Sequence, residues 1–145
     1  LSNEDSFNIK LATELASIYG KRVLIENHPK LNNQIVCSSY EWWINNLHLI
    51  CPPDQIIITL LPFPSMVEPI NQETILSLRN KSNNWFREFM LPESFQLVDK
   101  AVSPLRKNSG KLVFLDGRIT NRKWGRDMLE MIQPQKAINF MYPFD

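Results

Sequence analysis

Three consecutive isoleucines, Ile56-Ile57-Ile58, running into Leu61-Pro62-Phe63-Pro64-Ser65, constrain this chain more than any other segment. A stretch that is apolar at successive positions reads as a strand buried on both faces, the habit of parallel sheets covered by helices. The prolines that follow forbid a helix there, so the chain leaves the strand through a rigid connection. The rest of the sequence fits that frame, because its segments alternate between helical and strand periods.

Ahead of that strand, Ser6 is expected to cap a helix with Leu11, Leu15 and Ile18 on one face and Gly20 at its end. Arg22–Glu26 reads as a short strand, 27–33 as a loop and Gln34–Cys37 as a second strand. Ser38 and Ser39 are natural caps for a short helix carrying Trp42, Trp43 and Leu47, closed by Pro52 and Pro53. Beyond the strand, Asn71 or Thr74 is expected to open one long helix with Ile75, Leu78, Trp85, Phe86 and Phe89 on one side. Pro92 starts the next helix, whose buried stripe is Phe95, Val98, Val102 and Leu105, and Pro104 ends it near Ser103. Lys111–Asp116 is the last strand, carrying Leu112-Val113-Phe114-Leu115, and Thr120 is expected to cap a final helix with Trp124, Met128, Met131 and Ile132 inward. Four strands interleaved with helices predict an α/β fold: one domain over residues 1–145, with a mainly parallel sheet flanked by helices.

Composition narrows the function classes. Eight Phe, four Trp and three Tyr in 145 residues exclude disorder. The longest apolar runs fall far short of the roughly 20 residues of a membrane span, so no membrane partner is expected. Two cysteines, Cys37 and Cys51, cannot build a disulfide framework, a zinc ribbon or an iron–sulfur cluster, which makes the cytoplasm the default compartment. A first residue other than Met is what a fragment or processed piece would show. Net charge is +1, yet Arg79 to Arg126 holds eleven basic residues against four acidic ones, a local +7 that leaves −6 on the remainder. Such asymmetry points toward phosphate-bearing partners.

Chemistry-bearing motifs are few. His28 and His48 have no second ligand at metal spacing, so no metal site is expected. Cys37 reads as an inert core thiol. Four glycines form neither a phosphate-cradling loop nor a dinucleotide fingerprint, so the isolated chain is expected to hold no cofactor and to be inactive alone. Trp42-Trp43 and Trp85-Phe86 read either as base-stacking platforms or as packing, with packing the stronger reading. Asp116-Gly117-Arg118 is the most suggestive feature. It closes a parallel strand, at the edge where ligands of open α/β sheets gather, and Arg106 could reach the same rim. For Arg118 the structural alternative is a salt bridge to Asp116 or a bond to a helix C-terminal carbonyl.

Read in order, these segments resemble the second RecA-like motor domain of DinG/XPD-like DNA helicases of superfamily 2. Gln55-Ile-Ile-Ile-Thr-Leu-Leu-Pro-Phe-Pro-Ser is similar to that family's strand and L-P-F-x-x-P connection. Glu68-Pro69, an aromatic helix and Leu91-Pro92-Glu93 follow in the family's order. Leu112-Val-Phe-Leu-Asp-Gly-Arg and Arg122-Lys-Trp-Gly-Arg resemble its closing L-D-x-R strand and R-x-Y-G-R helix. The resemblance covers roughly Gln34 to Ile132.

It implies a RecA-like, P-loop NTPase-like fold and a part in an ATP-dependent DNA helicase. ATP and Mg²⁺ would be held only with an upstream first motor domain of the same chain, and single-stranded DNA would be the partner. By position, Arg106, Arg118 and Arg122 become catalytic candidates, and Glu41, Asp99 and Arg106 cofactor-facing ones. Ser38, Lys100, Lys107, Lys123 and Arg126 become nucleic-acid contacts. The sequence also departs from the pattern. The family's S-x-x-E-G-x-D segment falls on Ser38–Ile44, with Trp42 for the glycine and Ile44 for the aspartate. Its Q-G-x-G-R-x-x-R helix falls on Asp99–Arg106, with Ser103 where the arginine finger belongs. A finger is typically worth about 10³–10⁵ in rate, so a slow or dead ATPase is expected unless Arg118 or Arg122 substitutes. One alternative is a degenerate, non-hydrolysing domain that binds nucleic acid or protein; a third reading is a structural α/β domain whose basic helices face solvent.

Overall fold

The computed structural model describes residues 1–31 and 33–132. Asn32, within the loop expected over 27–33, lies outside them. The order is α1 (Asp5–Tyr19), β1 (Val23–Ile25), β2 (Ile35–Cys37), α2 (Tyr40–Asn46), β3 (Gln55–Ile58) and α3 (Pro69–Asn80). A π-helical turn (Phe86–Met90) then leads into α4 (Leu91–Val102), α5 (Leu105–Asn108), β4 (Lys111–Phe114), α6 (Arg118–Asn121) and α7 (Trp124–Ile132). The chain is therefore mixed α/β, with short parallel sheets flanked by helices.

Among the described residues all strand pairs are parallel, but they form two two-stranded sheets, β1–β2 and β3–β4, rather than one. Val23 pairs with Ile35 and Ile25 with Cys37; Gln55 pairs with Lys111 and Ile58 with Phe114. Residues Leu1 and Ser2 lie between the sheets and bond to both: Thr59 N–H donates to Leu1 C=O at 3.1 Å, and Ser2 N–H donates to Ser38 C=O at 3.3 Å.

The core gathers Ile56 and Ile58 of β3, Tyr40 and Trp43 of α2, Val98, Ala101 and Val102 of α4, and Met128 of α7. Trp43 ties α2 to the end of α4, its indole N–H donating to Ala101 C=O at 2.8 Å. Burial of the α4 stripe follows from the spacing of Leu91, Ser94, Val98, Ala101 and Val102.

Several expectations need correction. β3 is covered at alternate positions only: Ile56 and Ile58 are buried while Ile57 is 42% exposed. Helix α1 starts at Asp5, inside Glu4, so Ser6 is not its cap, and Asn8 and Ala12 rather than Ile18 are its buried residues. The long aromatic helix is two elements. Pro69 sits in the first turn of α3, and the chain breaks at Ser82, whose φ of 59° no helix accommodates. Thr120 lies inside α6 and caps nothing. Ser39 does cap α2, accepting from Trp42 N–H at 3.2 Å, and Pro92 does sit in the first turn of α4.

Candidate functional site

The carboxyl ends of β3 and β4 bring together the residues with the most chemistry. After β3 the chain passes through Leu60, Leu61 and buried Pro62 to Phe63; after β4 it reaches Asp116 and turns into α6 at Arg118. Asp116 is 6% exposed and fully engaged. Its carboxylate accepts from Leu61 N–H at 2.9 Å, from Arg118 N–H at 3.0 Å and from Arg118 Nε at 2.9 and 3.0 Å. Arg118 Nη2 completes a forked ion pair. Burial works against this carboxylate's charge, but the bonds from the Arg118 guanidinium and the two amides outweigh it and hold Asp116 below the usual carboxylate range. The same bonds raise Arg118 above its ordinary value, against a smaller effect of burial. Tyr40 lies beneath, its hydroxyl donating to Leu60 C=O at 3.0 Å and pushed up by burial first and by the Asp116 charge second.

Arg118 also faces an aromatic band. Its guanidinium stands 5.0 Å over the Phe63 ring. Phe63 meets Trp124 edge-on at 5.4 Å and Phe86 at 5.7 Å, and Phe86 meets Trp85 edge-on at 6.1 Å. At the far end the Arg79 guanidinium lies 5.2 Å over Trp85. Four half-buried rings are thus bracketed by two arginines, whose guanidinium groups lie over the faces of Phe63 and Trp85.

The other expected residues lie elsewhere. Arg106 on α5 pairs with Asp99 on α4, both about half exposed, an ion pair of small energetic worth. Ser103 donates its hydroxyl to Lys100 C=O at 2.8 Å, back along its own helix. Ser38 is fully buried, and its Oγ has no partner among the described residues. Glu41 borders an open pocket with Glu26, Ser39, Trp42, Asn45 and Asn46, where Glu26 accepts from both the amide and the hydroxyl of Ser39. Lys100, Lys107, Arg122, Lys123 and Arg126 are exposed, without acidic partners among the described residues. Arg106 and Arg118 each answer a different carboxylate, so the structure does not join them.

Sequence reasoning reached Asp116 and Arg118, with the salt bridge it weighed for them. It missed Phe63, Tyr40 and the stacking of Arg79 on Trp85. The signal for Phe63 was its place in the proline-bounded connection beyond β3; for Tyr40 and Arg79 the partners are too distant in sequence to be read. Cys37 is buried and its thiol is pushed up by burial, which fits an inert core thiol. Among the described residues no group of three or more His, Cys, Asp or Glu could hold a metal ion. No helix there is long and apolar enough to cross a membrane. Arg106 and Arg118 are each paired with a carboxylate, and the pocket beside Glu41 is lined by two acids, Glu26 and Glu41.

Comparison with known proteins gives one informative likeness. Over 86 residues, 57% of this chain, the sequence is 30% identical to ATP-dependent DNA helicase DinG of Photobacterium profundum. The chain spans 12% of that protein's length. It contains a helicase-related region. No family model and no solved structure matches.

Proposed function

We propose that this chain is most of the second motor domain of an ATP-dependent DNA helicase, lending arginines to an ATP cleft and one wall to a single-stranded DNA track. The observation that carries this reading is the 30% identity over 86 residues to a DNA helicase. The rim built from Asp116, Arg118 and the aromatic band supports it, because that edge of a parallel sheet is where ligands bind. ATP and Mg²⁺ belong to the reading only with a first motor domain present. Within this chain, Asp116 orients Arg118 along the rim, Phe63 supports its guanidinium from below, and Lys100, Lys107, Lys123 and Arg126 offer exposed cations to a phosphate backbone.

The test has two parts. The 145-residue chain should bind a labelled oligo-dT in fluorescence anisotropy, with log K falling linearly in log salt by about 0.7 per phosphate contacted. Lys123→Glu with Arg126→Glu should flatten that slope by roughly 1.4. In the full helicase chain that carries this domain, Arg106→Ala, Arg118→Lys and Arg122→Ala should include one variant with DNA-stimulated hydrolysis reduced by about 10³ or more. Unchanged turnover in all three removes the cleft assignment.

A second reading has its own support. Ser103 spends its hydroxyl on Lys100 C=O, and Trp42 and Ile44 pack against the core where the resembled motif has glycine and aspartate. A domain that binds DNA or protein without hydrolysing ATP accounts for these better. DNA binding by a folded full chain with no turnover would favour it.

A further inference from the structure

Helix α3 buries little of its apolar surface against its own chain. Of Pro69–Asn80 only Ile75 is buried, while Ile70 and Leu76 stay 78% and 56% exposed. The connection leading into the helix leaves Met66 56% exposed as well. Aliphatic side chains scattered singly over a surface need no explanation, but a set that lines one depression marks a contact site. Met66, Ile75 and Leu76 form such a set. With Gln72 and Arg79 they line a groove of about 270 Å³, open to solvent.

The lining follows from helix geometry. At about 100° per residue, Gln72, Ile75, Leu76 and Arg79 fall within roughly 100° of one another on one side of α3. Met66 comes from the preceding connection, and its unbranched thioether adapts to whatever it meets. The volume lies below the roughly 300–1,000 Å³ of small-molecule sites. A side chain carried by a larger partner suits it better than a free ligand.

Arg79 sets the charge that such a partner must carry. It is the only charged residue of the lining. Its guanidinium lies 5.2 Å over the Trp85 ring and has no carboxylate partner among the described residues. Stacking occupies the face of a guanidinium and leaves the N–H donors at its edge free, in the fork that fits a carboxylate. The acids nearest in sequence do not fill that fork. Glu68 accepts from the Asn71 amide at 3.2 Å and Glu88 from the Asn83 amide at 2.9 Å. Glu73 stands about 120° around the helix from Arg79. A nucleic-acid base is a weaker match than an aliphatic group, because no aromatic ring lines the groove and Arg79 already covers one face of Trp85.

We propose that the groove between Met66 and α3 docks a peptide segment of a partner protein that carries an aliphatic side chain beside carboxylates. The aliphatic group, of leucine or isoleucine type, fills the space between Met66, Ile75 and Leu76, and a carboxylate takes the open edge of Arg79. Apolar burial supplies the affinity, and the forked charge contact fixes which segments are accepted. Neither ATP nor single-stranded DNA takes part, so the docking site stands or falls apart from the helicase reading.

The experiment titrates three fluorescein-labelled peptides with the 145-residue chain and reads anisotropy. They are Asp-Glu-Leu-Leu-Asp-Glu, its serine counterpart Asp-Glu-Ser-Ser-Asp-Glu and its lysine counterpart Lys-Lys-Leu-Leu-Lys-Lys. The first should bind at least about tenfold more tightly than either of the others, the loss expected when a leucine side chain or a forked carboxylate contact is forfeited. Leu76→Ser should weaken it by about tenfold. Arg79→Glu should reverse the order of the acidic and lysine peptides, a change that loss of structure cannot produce. Equal affinities for all three peptides, or binding that neither substitution alters, would overturn the site. Oligo-dT binding that Leu76→Ser weakens, with peptide binding untouched, would hand the groove to nucleic acid instead. A dimer found by sedimentation and dissolved by Leu76→Ser would assign it to a second copy.

Discussion

Gly125→Ala should cost about 3 kcal/mol or more, read as a fall in the urea midpoint at constant slope. A Cβ built at Gly125 stands 1.8 Å from Ile119 C=O oxygen and 2.6 Å from its carbonyl carbon. Both are backbone atoms, so no side chain can swing aside; α6 and α7 must part. Alanine's helix propensity works the other way, but that gain is only about 1 kcal/mol, and the overlap wins. Gly117→Ala is the matched control. Its φ is −60° and the nearest atom to an added Cβ is the Asn121 side-chain nitrogen at 3.6 Å, so the change should stay within about 0.5 kcal/mol. Equal stability of the Gly125→Ala variant and the parent would mean that α7 does not cross Ile119 as closely as described.

Asp116→Ala should be nearly as damaging, at about 2–4 kcal/mol. It strands the buried Leu61 amide and removes the carboxylate that holds Arg118. The figure sits below that for a fully buried pair because the Arg118 side chain is 43% exposed and can be rehydrated. Asp116→Asn keeps an acceptor for Leu61 and should lose less. Acid titration separates the charge from the shape. Asp116 lies below the unfolded value of 3.8, so the folded state binds fewer protons there than the unfolded state. Its contribution is complete above roughly pH 5 and disappears as pH falls through the lowered folded value. The Asn variant should show a flatter acid limb than the parent. An identical limb would remove the ion pair from the stability of the rim.

How much of this was legible depended on range. The alternation of helix and strand, the capping of α2 by Ser39 and the end of α4 before Pro104 are local facts, set by neighbours within four residues, and the sequence carries them openly. The split of the long helix expected to open at Asn71 or Thr74 is local too, yet Ser82 offers no glycine or proline to announce its positive φ. The one-sided burial of β3 was hidden for a different reason. Ile57 has the composition of a two-faced core residue, but it stands on the opposite face of the sheet from Ile56 and Ile58, and what covers that face is not written in composition. The Asp116–Arg118 pair could be read because its members are two positions apart. Tyr40 reaches Leu60 across 20 residues, and Leu61 reaches Asp116 across 55, distances that no periodicity encodes.

The π-helical turn at Phe86–Met90 acts as a phase shifter. An α-helix advances about 100° per residue, and a wider turn holds one residue more than that gearing allows. Downstream, Leu91, Ser94, Val98 and Val102 mesh with the core; upstream, Trp85 and Phe86 are turned to Phe63 and Arg79 instead. One continuous rod thereby presents two bearings, a structural one and a rim-facing one. The extra residue works as the key between them. Removing it would leave α4 seated while rotating the tryptophan off the rim by about 100°, so this stretch should tolerate substitution far better than it tolerates a change of length.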